Sequence, residues 1–326
     1  MTPDIPPDDL PVYLISPSGA VAPEAPVDRA LANLRAAGFA PVLDRAALRV
    51  RQRFAGSDED RAAAFTRAAA QPASVVMTTR GGYGLTRILP KLDFTALAAA
   101  DKRWVGLSDF TAFQLAMLAR ANAVTWAGPA LLEDFAAERA EDLDEITVGT
   151  FRDAMDGSLE ILGFRYSGPK DVEARGTLWG GNLSIVCALL GTPWFPQVDG
   201  GILFLEDVNE HPYRIERMLT QLLHAGVLDR QAAIVFGCFN RYRLVESDRG
   251  FDLPAVVKWL RTQTKTPILT GLPFGHASPK LTLPHGATVG LATEGRTCWL
   301  VLEEHHHEDP PNAHPRDDDS QDDHEH

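Results

Sequence analysis

The sequence predicts an α/β protein of two packed domains, the first a doubly wound parallel sheet and the second a mixed α/β unit. Three observations carry this prediction. The chain has 326 residues, beyond the roughly 250 at which a single hydrophobic core stops growing. Short apolar runs alternate with helical patterns through residues 1–135, as expected for parallel strands joined by covering helices. A loosened, charged stretch then separates that pattern from a second set of strands.

The first strand falls at 11–16, followed by the turn-rich Ser16-Pro17-Ser18-Gly19 and a helix with apolar residues at Ala30, Leu31, Leu34 and Ala37, the spacing of one helical face. Gly38 ends that helix. A second unit runs from 74–77 through a glycine-rich loop into a short helix near 84–90. A third runs from 104–107 into an apolar helix over 109–120, and a fourth strand lies near 123–127. From about 134 to 170 the chain is charged and mostly helical with no strong strand, which places a linker at 136–170. The second domain, 171–302, has strands at 201–205, 232–236, 267–269 and 287–291. Its amphipathic helix from Pro212 to Ala225 is closed by Gly226, a residue suited to the left-handed stop. Residues 303–326 are too polar to offset their ordering entropy, so a disordered His- and Asp-rich tail is expected there.

Hydrophobic residues make up 45% and charged residues 23%, enough apolar content for a sizeable core. The formal net charge of −13 is concentrated in the tail, where ten acidic residues face Arg316 alone. A body this near neutrality lacks the clustered positive surface that nucleic acid requires. No apolar run reaches the roughly 18 residues of a membrane span. The amino terminus carries acids and prolines where a signal peptide would be basic and then apolar; a soluble, cytoplasmic protein is expected. Cys187, Cys238 and Cys298 stand singly, without the CxxC spacing of a zinc site or a disulfide framework, so reduced, buried thiols are expected.

Ser108 lies where an apolar strand passes directly into a helix. Active sites of open α/β sheets gather at that edge, and the helix start offers unpaired N–H groups to a developing oxyanion. Serine is also a favoured helix N-cap, which is the competing reading. The motif is not the GxSxG elbow, because Phe110 occupies the second glycine position. Thr78-Thr79-Arg80-Gly81-Gly82-Tyr83-Gly84 is a second candidate; its glycines allow close backbone approach to an oxyanion or phosphate, although it matches neither GxGxxG nor the Walker pattern and could be a plain turn.

A serine nucleophile needs a base, and histidine is the usual one. Six of the ten histidines lie in the tail, and His224 sits in the last turn of a helix, which leaves His211, His276 and His285. His276 occupies an irregular Gly- and Pro-rich loop, where a scaffold can hold a catalytic side chain or simply make a turn. Glu206 ends an apolar strand; a carboxylate there needs a partner if buried, and a histidine could supply it. A half-exposed loop acid is the alternative. A metal site of Glu206, Asp207 and His211 has no HExxH support, and no metal is expected. The acids and histidines of the tail leave open a divalent-metal affinity there, with a solvated appendage as the simpler reading.

Taken together the chain resembles the LD-carboxypeptidase family of serine peptidases, which includes the microcin-immunity peptidases. The resemblance spans roughly 11–302 and is carried by RGGYG at 80–84, GLSDFTAFQ at 106–114, LWGGNLS at 178–184, GTPWFP at 191–196, LFLEDVNEHPYRIERMLTQL at 203–222 and FGH at 274–276. It implies a flavodoxin-like first domain and a swivelling-type second domain with the site between them. It further implies Ser108 as nucleophile, His276 as general acid/base, Glu206 as its orienting partner, and backbone N–H groups of Gly82 and Asp109 as the oxyanion hole. No cofactor is implied, and a homodimer is common in the family. The implied reaction releases terminal D-alanine from peptidoglycan tetrapeptides that contain meso-diaminopimelate. Because that substrate is anionic, Arg80 and Arg214 are candidate binding residues. Two other readings stay open: hydrolysis of peptidyl or aminoacyl adenylates by the same triad, and a non-catalytic muropeptide-binding protein.

Overall fold

The computed structural model describes residues 9–302; the expected acidic tail lies outside the described residues. Six described strands form the first sheet. Five of them run parallel: β1 (Leu10–Ile15), β2 (Phe39–Leu43), β3 (Val75–Thr78), β4 (Arg103–Gly106) and β5 (Thr125–Ala127). Their spatial order is β5-β4-β3-β1-β2. This is the flavodoxin-type doubly wound order, which reverses direction between β1 and β3 and leaves a crevice at their carboxyl ends. Strand β3, Val-Val-Met-Thr, is buried at every position, as befits a strand covered on both faces.

The helices of this sheet are α1 (Val27–Ala36), α2 (Asp58–Ala69), α3 (Leu85–Ile88), α4 (Phe94–Ala99), α5 (Thr111–Ala121), α6 (Leu131–Asp134) and α7 (Glu145–Asp156). Helix α2 begins with a complete capping box between Ser57 and Asp60, which satisfies two otherwise orphaned N–H groups. Helix α5 is buried continuously from Thr111 to Leu118, because it packs on the first sheet and on the second unit at once. The helix expected over 109–120 therefore starts later: Ser108–Phe110 form a tight 3-10 turn ahead of it.

The second sheet runs β10-β9-β8-β7-β12-β13-β6. Strands β7 (Glu173–Asn182), β8 (Ile202–Val208), β9 (Ala233–Asn240) and β10 (Ile268–Thr270) are parallel. Strands β12 (Thr288–Glu294), β13 (Thr297–Leu302) and β6 (Ile161–Arg165) add antiparallel partners. Helices α8 (Leu183–Leu189), α9 (Pro212–His224) and α10 (Leu253–Leu260) accompany them. Helix α9 buries Ile215, Met218, Leu219 and Leu222, the spacing of one apolar stripe, and the chain turns away at Gly226 with φ of +70°.

Two departures from the sequence reading concern the boundary. The stretch expected to be a linker contributes β6, the edge strand paired with β13. Its five residues alternate exposed and buried, too short a period-2 signal to stand out beside the helical pattern before it. Strand β11 (Leu283–His285), far along the chain, crosses back and pairs antiparallel with β5 in the first sheet. One apolar cluster accordingly unites Phe113 and Leu115 of α5 with Val186, Leu219 and Ile234 of the second unit.

Phe113 is the aromatic hub of the first unit, with ring centroids 4.7 Å from Phe65, 5.0 Å from Phe110 and 5.4 Å from Trp104. Truncating such a side chain removes transfer energy and leaves a cavity, so Phe113→Ala is expected to lower unfolding stability by about 3–5 kcal/mol, measured by urea denaturation followed by tryptophan fluorescence.

Candidate active site

Ser108 sits at the carboxyl end of β4 with φ of +63°. A non-glycine residue in the left-handed region is uncommon and is retained where the surroundings over-determine it. The effect is to turn the serine out of the sheet edge between strand and helix. Gly81 explains how the neighbouring loop can reach it: a Cβ on Gly81 would lie 2.7 Å from Ser108 Cβ and 2.9 Å from its Oγ. Only a residue without a side chain permits that approach. The glycine loop is also seated on the turn after β1, where Gly19 N–H donates to the Gly81 carbonyl at 3.3 Å. Both turns lie at the β1/β3 reversal point of the sheet.

Two buried groups brace this loop. The Asp109 carboxylate, 1% exposed, accepts from Leu85 N–H at 2.9 Å and so fixes the start of α3 behind the loop. Burial pushes its pKa up, against the hydrogen bonds and the Arg61 charge that pull it down. Arg61, also 1% exposed, donates to the carbonyls of Pro17 at 3.0 Å and Gly84 at 2.7 Å and pairs with Asp58. A fixed guanidinium thus ties the turn after β1 to the end of the glycine loop. Arg61 carries no motif in the sequence; only its burial on α2 distinguishes it from the other arginines.

On the second sheet, Glu206 and Asp207 close β8 as buried neighbours. Glu206 Oε2 lies 2.8 Å from His276 Nδ1. Its other oxygen accepts from the Asn182 side-chain amide at 3.1 Å, and the same amide donates to Asp207 at 3.1 Å. Asp207 also accepts from Ser184 N–H at 2.9 Å and from its hydroxyl at 2.6 Å. Burial, with Glu206 as a like charge beside it, raises the Asp207 pKa. Asn182 N–H in turn donates to Thr111 Oγ at 3.0 Å, three residues after Ser108. Gly181, at φ of +119°, is the residue that lets this crossing occur, since a Cβ there would lie 2.5 Å from the Thr111 hydroxyl.

His276 is largely buried, its side chain 9% exposed. Burial works against the imidazolium, yet the hydrogen bond and charge of Glu206, helped by Glu133, outweigh it and raise the pKa above the ordinary value of 6.5, with Lys280 opposing. With Nδ1 on Glu206, the opposite ring nitrogen is the one left to serve as base.

Ser108 and His276 both line one cleft of about 610 Å³, together with Arg80, Gly82, Asn209 and Arg241 among others. Glu206 stands behind His276, and Asp109 behind Ser108. Arg80 lines the cleft while one of its nitrogens holds the Ala20 carbonyl at 2.9 Å. Arg214 is not among the cleft residues; it is half exposed on α9 and faces Glu210 at 3.6 Å. The second cleft arginine is instead Arg241, an exposed residue just beyond β9 with φ of +58°. No sequence pattern marks it, because it lies in a loop rich in arginines. The other two candidate histidines point elsewhere. His211 caps α9 and pairs with Asp248 at 3.1 Å. His285 is fully buried on β11, and burial drives its pKa down to about 3.

Comparison with known proteins finds relatives along most of the chain. Residues 12–128 match the model of the LD-carboxypeptidase N-terminal domain, and residues 175–291 that of the C-terminal domain. A Streptomyces coelicolor protein provisionally named a carboxypeptidase is 35% identical over 306 residues, 89% of this chain and 92% of its own. The crystal structure of a muramoyltetrapeptide carboxypeptidase from Oxalobacter formigenes superposes with a TM-score of 0.82 at 39% identity, covering 90% of this chain and 99% of that one. A microcin self-immunity protein of Escherichia coli is 27% identical over 273 residues, 72% of this chain and 76% of its own. The two domain matches, following one another along the chain, identify this protein as a member of the LD-carboxypeptidase family of serine peptidases.

Proposed function

We propose that the protein is a muramoyltetrapeptide-type LD-carboxypeptidase that releases terminal D-alanine from peptidoglycan tetrapeptides, with Ser108, His276 and Glu206 as its catalytic triad. The observation that carries the reading is the buried Glu206–His276 pair at 2.8 Å, whose histidine faces the same cleft as the backbone-strained Ser108. His276 takes the proton from Ser108 as Oγ attacks the carbonyl of the L-centre of meso-diaminopimelate. Backbone N–H groups of Gly82 and Asp109 receive the oxyanion. His276 then protonates the departing amine of D-alanine, and water, deprotonated by the same ring, hydrolyses the ester and restores the serine. Glu206 holds the tautomer and balances the imidazolium that forms. Arg80 and Arg241 are the cations suited to the carboxylates of the substrate.

The cleft joins a nucleophile on the first sheet to a base on the second, consistent with a working division into domains at 1–135 and 171–302 bridged by 136–170. Among the described residues no helix is long and apolar enough to cross a membrane. A cytoplasmic role in murein recycling, and a homodimeric state, belong to the same proposal and follow the family rather than any feature of the cleft.

Incubation of the wild type with L-Ala-γ-D-Glu-meso-DAP-D-Ala, followed by mass spectrometry, is expected to show loss of one D-alanine, with Ser108→Ala slower by about 10⁴-fold or more. If the tetrapeptide survives while a peptidyl adenylate is cleaved, the immunity-type reading takes its place; survival of both favours a binding role.

The electrostatics give a second expectation. The base must be neutral, so kcat/KM should rise with pH through an ionisation above 6.5. Glu206→Gln removes the acceptor charge that raises the His276 pKa, so the midpoint should move down while kcat falls by about 10²–10⁴-fold. The sign for stability is opposite to that for activity. A histidine whose folded pKa is raised stabilises the fold fully below its unfolded value near 6.5 and loses that contribution as pH climbs through the folded value. Thermal melts from pH 5 to 9 should show this decline in the wild type and less of it in Glu206→Gln.

A further inference from the structure

The loop that carries His276 runs from Phe274 to Lys280, and its two ends are held by different sheets. At the first end, His276 reaches Glu206 through its ring and accepts from the Asn240 side-chain amide at 2.9 Å through its carbonyl. Both partners are on the second sheet, and from this end the imidazole is related to the Ser108 turn only indirectly, through Glu206, Asn182 and Thr111. At the other end, Lys280 Nζ donates to both oxygens of Asp134 at 2.8 Å each, and Lys280 N–H donates to Thr147 Oγ at 2.8 Å. Asp134 ends α6 and Thr147 lies in α7, both packed with the first sheet.

Helix α6 is tied directly to the oxyanion loop. Leu132 N–H donates to the Thr79 carbonyl at 2.9 Å, one residue before Arg80 and two before Gly81. Asp134 Oδ2 also accepts from Ala130 N–H at 2.9 Å, which fixes the carboxylate on its own helix. A continuous chain of contacts therefore runs from His276 through Lys280, Asp134 and α6 to the loop against Ser108. The Lys280 and Asp134 side chains are only 1% and 3% exposed, and both residues line the cleft. Burying two charges is expensive, and apolar residues of similar size often stabilise a fold as well or better. What a bidentate charge pair adds over apolar contact is a defined geometry.

We propose that Lys280 and Asp134 are positioning residues whose buried ion pair latches the His276 loop to the unit carrying Ser108 and so sets the alignment of base and nucleophile. The inference rests on the triad assignment above. The pair acts through His276 and does not touch the reacting atoms.

The test uses the full chain and reads turnover, KM, melting temperature and the rate of Ser108 labelling by an organophosphonate. Lys280→Met alone strands a buried carboxylate, and Asp134→Leu alone strands a buried ammonium, so each should lower the melting temperature and the rate together. The double variant removes both charges and should recover most of the melting temperature, less the Ala130 N–H bond to Asp134, while kcat and the labelling rate stay down by about 10²-fold, the effect of a displacement near 1 Å, and KM changes little. Lys280→Arg keeps the charge and the fold but lengthens the reach, and should lose rate in the same pattern. A double variant, or a Lys280→Arg variant, that labels and turns over at the wild-type rate would overturn the latch while leaving the triad intact. Absence of Ser108 labelling in the wild type would overturn the triad assignment and this inference with it.

Discussion

Two adjacent carboxylates, Glu206 and Asp207, are buried at the carboxyl end of β8, and the surrounding architecture is arranged to satisfy them. Neighbouring acids in a low-dielectric interior repel one another and are deprived of water. Asn182 answers by donating one amide to both, Ser184 adds two donors to Asp207, and His276 completes Glu206. His276 thus both lines the cleft and pairs a buried Glu206. Its orientation is a consequence of the need to pair that acid, which is how a loop residue comes to be held as firmly as a core side chain.

The same network reaches across to the Ser108 turn. Asn182 meets Thr111 on the first turn of α5, directly after the Ser108 turn, and Gly181 makes room for the meeting. The core is continuous at this point, because α5 packs on both units. Two sheets that could otherwise slide are locked by apolar packing along α5, by the Asn182–Thr111 contact and by the return of β11 into the first sheet. The proposed triad, divided between the two units, would need such fixation, since a shift of an ångström between reacting groups is felt in the rate.

The first sheet contributes position and strain. Its strand order places a crevice at the β1/β3 reversal, and both turns at that crevice are narrowed by glycines so that backbone can meet backbone. Ser108 stands beside it in a left-handed conformation. That conformation persists because Gly81 packs against the serine on one side and α5 follows immediately on the other. Arg61 and Asp109 then hold the glycine loop from behind.

Much of this was legible in the amino-acid order alone. Apolar runs alternating with helical spacing determined the doubly wound sheet, and the period of α9 with its glycine stop was readable to within a residue or two. Ser108, Glu206 and His276 stand out only as candidates, a polar residue at the end of an apolar strand or a histidine in a Gly- and Pro-rich loop, and their roles come from the family resemblance. Residues whose significance depends on partners far along the chain could not be read this way. Arg241 looks like any surface arginine, β6 is a half-exposed edge strand beside a stronger helical pattern, and β11 pairs with a strand of the other domain far back along the chain. Lys280 and Asp134 are separated by 146 positions. Local sequence determines strands, helices and turns because propensity and periodicity act over a few residues. Which charges become buried together, and which arginine faces the cleft, is decided only when the two sheets close on one another, since burial and pairing are properties of the packed chain.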